Sequence, residues 1–129
     1  MDNEEMPLLS EDDLVGEYCR IAQHSDEPEF LRHLARSPHA SIRKRAAGNP
    51  RTPSDDLEWL AGDPEMRRQW RLICNPSLPE RCLLALAHDA DFDVRLTAWT
   101  QIKRRRRKLP PGERERLPWP PPDNVRHLM

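Results

Sequence analysis

Two stretches decide how this chain is read: LARSPHASIRKRAAGNPRTPSDDLEW at 34–59 and LAGDPEMRRQWRLICNPSLPERCLLA at 60–85, followed by LAHDADFDVRLTAWTQ at 86–101. A shift of 26 residues puts Leu34-Ala35 on Leu60-Ala61 and then on Leu86-Ala87. The same shift puts Ser37-Pro38 on Asp63-Pro64 and Asp89-Ala90, Asn49-Pro50 on Asn75-Pro76, and Pro53 on Pro79. Leu31 falls on Leu57, Leu83 and Leu109. The matches are positional, and a period of this size marks units that cannot bury an apolar face alone and must stack on a neighbour. The expected fold is all-α, a solenoid of short helix pairs.

Local chemistry places the helices. In Thr52-Pro53-Ser54-Asp55 a capping residue precedes a proline at the first helical position and an acid near the third, so one helix runs through Leu57 and Leu60 to Gly62. Asp63 caps the next, with Pro64 first, and Met66, Trp70 and Ile73 form its buried stripe at spacings of four and three. Asn75-Pro76 ends it, because the residue before proline leaves the helical region and asparagine suits a turn. By the same rule helices are expected near 27–36, 38–48, 53–61, 64–74, 79–88 and 90–102, with a short one near 12–23. In the third unit the stripe is Phe92, Leu96 and Trp99; in the first, Ile42, Ala46 and the stem of Lys44 do the packing.

The motif L-A-x-[SD]-P, a basic amphipathic helix, then N-P-x-x-P and a leucine resembles the leucine-rich repeat variant family over about residues 30–109. The resemblance implies a right-handed array of alternating α- and 3-10 helices, with the proline-led element around Leu57 3-10 in part. A relative of that family carries a cysteine-rich iron–sulphur segment ahead of its repeats. Cys19, Cys74 and Cys82 lack the compact C-x2-C spacing, so no cofactor is expected. The odd cysteine count also excludes a complete disulfide framework.

The rest of the 129 residues divides into an acidic N-terminal segment, 1–29, with a capping helix, and a proline-rich tail, 110–129. The net charge of -1 hides a strong segregation: residues 1–29 carry ten acids against Arg20 alone, a local -9, while 30–102 sum to +2 and 103–129 to +6. Only 36% of residues are hydrophobic and no run approaches a membrane span, so a cytoplasmic protein away from the membrane is expected. The acidic start, MDNEEMPLLSEDD, is unlike a secretory signal.

No constellation points to catalysis. His33 and His39, the tightest histidine pair, are separated by Ser37-Pro38, and a zinc site needs three or four convergent ligands. Cys82 and His88 lie six apart on one helical segment and do not face each other. The four glycines are isolated, so no phosphate loop exists.

The expected function is therefore a non-catalytic interaction or scaffold module; the alternative is a nucleic-acid binder. The candidate partner-binding residues are Trp59, off the Leu57–Leu60 line; the repeat cations Arg43, Lys44, Arg67, Arg68, Arg71 and Arg95; and the run Lys103, Arg104, Arg105, Arg106, Arg107 and Lys108. A continuous basic track would favour nucleic acid, whereas neutralisation of the repeat cations by Asp55, Asp56, Asp63 and Glu65 would count against it. The other readings of the run are a solvated tail or an extension of the preceding helix, where the dipole favours cations at its end, an acidic protein partner, and pairing with the acidic N-terminal segment. LPWPPP at 117–122 either docks into an aromatic groove or covers the last unit, with Trp119 shielded by prolines. Opposite charges at the two ends fit a monomer or a weak homodimer.

Overall fold

The computed structural model describes residues 10–128, and among them every regular element is helical. α1 (Glu11–His24) opens with a capping box: Ser10 Oγ accepts from the Asp13 N–H at 3.0 Å, and the Asp13 carboxylate accepts from the Ser10 N–H at 3.3 Å. Glu11, Asp12 and Asp13 thus sit at the positive end of its dipole. There follow α2 (Pro28–Ala35), α3 (Ala40–Gly48), α4 (Ser54–Ala61), a 3-10 turn (Met66–Arg68), α5 (Trp70–Ile73), α6 (Glu80–Leu86) and α7 (Phe92–Lys108). A second 3-10 turn (Pro111–Arg116) and α8 (Asp123–Arg126) complete the chain.

α1 packs on α3, α3 on α5 and α5 on α7, while α2 packs on α3 and α4, α4 on α5, and α6 on α7. Leu31, Leu57 and Leu83, the aligned leucines, are fully buried, each worth about 1.5–3 kcal/mol of burial. Leu109, next in that register, is half-buried against the same core. Helices approach closely where α3 meets α5: a Cβ on Gly48 would lie 3.2 Å from both Cβ and Cδ of Arg71.

The two Asn-Pro steps do more than end helices. Asn49, buried after α3, donates through Nδ2 to the carbonyls of Ala22 (2.9 Å) and Ser25 (2.8 Å) at the end of α1. Asn75, only 2% exposed, repeats this one layer on, donating to Ala47 (2.7 Å) and Asn49 (3.0 Å). Each accepts through Oδ1 from the N–H two residues ahead, Arg51 and Ser77, at 2.9 Å. The side-chain amide thus satisfies carbonyls that the preceding helix end leaves without a partner. At the next layer the donor changes: Arg105 Nη2 reaches the Asn75 carbonyl at 3.0 Å.

Four local expectations are corrected. Thr52 does not cap α4; its Oγ1 donates back to the Ala46 carbonyl at 2.6 Å, and Pro53 precedes the helix. The proline-led element around Leu57 is α-helical, and the 3-10 geometry falls instead in the 64–74 segment. Asp63 caps there as expected, accepting from Glu65 (2.8 Å) and Met66 (3.1 Å), but Pro64 and this cap start the turn early. The chain then extends at Gln69, with ψ 120°, before α5 begins. That break turns Trp70 outward, 60% exposed, while Met66 and Ile73 stay buried. Finally, α7 continues to Lys108, so the basic run is helical; Leu109, with ψ 147°, ends it before Pro110.

The tail folds back on α7. Leu117 and Val125 are each 1% exposed and belong to the core, whereas Trp119, expected beneath the prolines, keeps 36% of its surface exposed. Among the described residues no helix is long and apolar enough to cross a membrane.

Candidate functional site at the basic end of helix α7

The structure separates the candidate cations into two groups. Arg43 Nη1 donates to the Ser37 carbonyl at 2.6 Å, and Arg95, 52 residues on in the repeat register, donates to Asp89 (2.8 Å) and Ala90 (2.9 Å). Both brace the turn that enters their own helix. Arg67 faces Asp89 at 3.3 Å, without hydrogen-bond alignment at its shielded Nε, and Arg68 faces Asp91 at 3.5 Å. The Arg71 guanidinium lies 5.0 Å from the centre of the Trp70 ring, and Lys44 is half-buried on α3.

Arg67 and Arg68 are neutralised by Asp89 and Asp91, and not by the expected Asp55, Asp56, Asp63 or Glu65. Asp56, 1% exposed, holds Arg32 (3.1 Å) and Arg36 (3.3 Å), and its hydrogen bond and charge raise the Arg32 pKa further. Trp59 is exposed, with the Arg36 guanidinium stacked 4.5 Å from its ring centre.

The second group is the end of α7. Arg105 is held at the Asn75 carbonyl, and burial lowers its pKa, with Glu80 opposing the shift. Arg104, Arg107 and Lys108 are exposed, and Lys103 and Arg106 are half-buried. Lys103, Arg106 and Arg107, at helical spacings of three and four, share one side of α7. Against it stand Arg114 from the 3-10 turn and Trp119 from the tail, enclosing a cavity of about 190 Å³. The Lys103 ammonium lies 5.9 Å from the Trp119 ring centre, and Arg114 Nε donates to the Leu109 carbonyl at 3.3 Å. Among the described residues the Nε atoms of Arg106, Arg43, Arg67 and Arg95 alike are shielded from water and have no hydrogen-bond partner. Among the described residues no carboxylate lines this cavity.

Arg114 is not among the sequence candidates, and Trp119 enters there only within the docking or covering LPWPPP segment. Their place depends on the path of the tail, which no spacing rule supplies. A second cavity, of about 380 Å³, is more apolar; Leu14, Val15, Tyr18, His33, His39 and Ile42 line it between α1, α2 and α3.

Neither thiol–histidine nor metal chemistry is assembled among the described residues. The Cys82 thiol lies 3.8 Å from Glu58 Oε2, and burial, then the Glu58 charge, pushes its pKa up. His88 instead stands edge-on to Trp99, ring centres 6.4 Å apart. No three His, Cys, Asp or Glu side chains group as a cation site among the described residues. Comparison of the chain with models of known families, with curated proteins and with solved structures returns no match.

Proposed function

We propose that this chain is a non-catalytic helical-repeat scaffold that docks an acidic segment of a protein partner on the end of α7. The 26-residue register, the motif resemblance to the leucine-rich repeat variant family and the successive packing of α1, α3, α5 and α7 support a right-handed α-solenoid of the units 30–109. The observation that carries the reading is the division of the cations. Within the repeats Arg43 and Arg95 are bonded to carbonyls and Arg67 and Arg68 face carboxylates, whereas Lys103, Arg106, Arg107 and Arg114 converge beside an exposed indole in a cavity that has no carboxylate among its described lining residues.

A nucleic-acid binder tracks a backbone along a basic stripe. Here the stripe is interrupted at Arg43, Arg67, Arg68 and Arg95, which favours a local acidic ligand over a long polyanion. The test is capture of partners from native lysate, with and without nuclease, by the parent chain and by a variant carrying Gln at Lys103, Arg104, Arg106, Arg107 and Lys108 but keeping Arg105. A protein partner that survives nuclease and is lost with the variant is the expected result. Loss of every partner on nuclease treatment overturns the reading in favour of nucleic acid.

A further inference from the structure

We infer that the cavity between α7 and the tail is a phosphoryl-binding site, and that the acidic partner segment proposed above is recognised there through a phosphorylated serine or threonine. The inference rests on that proposal and narrows its chemistry.

Size comes first. The cavity, about 190 Å³, lies below the roughly 300–1,000 Å³ typical of pockets that enclose a whole small molecule. It suits one compact anionic group presented on a chain. Charge comes second: Lys103, Arg106, Arg107 and Arg114 supply four cations, and among the described residues no carboxylate lines the wall. A single carboxylate brings one negative charge, whereas a phosphoryl group brings about 1.5–2 and three acceptor oxygens.

Geometry comes third. Arg106 and Arg107 stand on one turn of α7 with Arg114 opposite, so planar guanidinium forks approach from two elements, as phosphate recognition favours. Trp119 forms an apolar wall that fits the methylene next to the phosphoester, and the Lys103 ammonium beside its ring keeps the rim positive.

The test uses the full chain at fixed ionic strength. Inorganic phosphate should shift the Trp119 indole N–H resonance saturably, where chloride does not. A phosphoserine peptide should bind about ten-fold or more tighter than its serine and glutamate counterparts. Arg106→Gln and, separately, the more exposed Arg107→Gln should bring that preference below about two-fold while leaving the melting temperature within a few degrees.

Equal affinity for the phosphoserine and glutamate peptides overturns the inference. If both still bind and both are weakened by neutralising α7, the acidic-partner proposal stands without it; if neither binds, both fall. A single-stranded oligonucleotide that displaces the phosphopeptide more strongly than a charge-matched peptide does also overturns it, in favour of nucleic acid.

Discussion

Arginine serves opposite ends in two regions of this molecule. In the repeats, Arg43 and Arg95 hold the carbonyls of the turns that launch their helices, and Arg67 and Arg68 meet Asp89 and Asp91. At the end of α7, Arg104 and Arg107 are exposed, and Arg106 and Arg107 line the cavity beside Trp119. The lesson is that a basic residue count says little about binding until the backbone carbonyls have been served. Arg105 sits on the boundary, belonging to the run by sequence and to the repeats by its bond to Asn75.

The largest effect is expected in the region committed to the fold. Asn75→Asp turns a double donor into an acceptor facing the Ala47 and Asn49 carbonyls, so it should cost roughly 3 kcal/mol or more, beyond the roughly 2 of Asn75→Ala. Urea titration measures both; near-equal, sub-kilocalorie losses would break the view that these amides clamp successive layers. Next comes Leu117→Ala, which removes a tail side chain buried in the core and should cost about 2–3 kcal/mol. A loss below about 0.5 kcal/mol would show that the tail does not seal α7.

The comparison sharpens at the arginines. Arg95→Gln and Arg105→Gln, each removing a charged donor from a backbone carbonyl, should cost about 1–2 kcal/mol. Arg104→Gln and Arg107→Gln, on exposed positions of the same helix, should stay within about 0.5 kcal/mol.

Much of this was legible in the sequence, for identifiable reasons. Leu57 and Leu83 share a place because the 26-residue register is carried by core positions, where burial dictates residue type. Asn49 and Asn75 were read only as helix stops; their second role, donating to the layer before, joins residues 24–28 positions apart and leaves no local signal.

Trp70 was misplaced because its stripe assumed an unbroken helix, and the extended Gln69 rotates everything after it. The length of α7 had a readable cue: nothing between Asp91 and Leu109 breaks a helix until Pro110. At the candidate site, the run itself was visible, but its separation into one structural arginine and a cluster around Trp119 depends on how the tail returns.

The smallest effect concerns an exposed pair. The Arg81 guanidinium, 2.7 Å from Glu58 Oε2, holds the Glu58 carboxyl below its usual range, with burial opposing. A lowered folded-state value means that the pair's contribution is present above the unfolded carboxylate pKa, roughly 4.3, and is lost as pH falls through the folded value. Arg81→Gln should therefore flatten the acid limb of the stability profile slightly and leave neutral-pH folding intact. Salt should mask even this difference. An unchanged acid limb at low salt would remove the pair from the account.

The division of the cations is tested most directly by titrating one labelled Glu-rich peptide against two folded variants, one carrying Gln at Arg104, Arg107 and Lys108, the other at Arg67 and Arg68. The account predicts that the α7 variant binds about ten-fold or more weakly and that the repeat variant stays within about two-fold of the parent chain. Equal weakening by both variants, or a larger loss in the repeat variant, would contradict it.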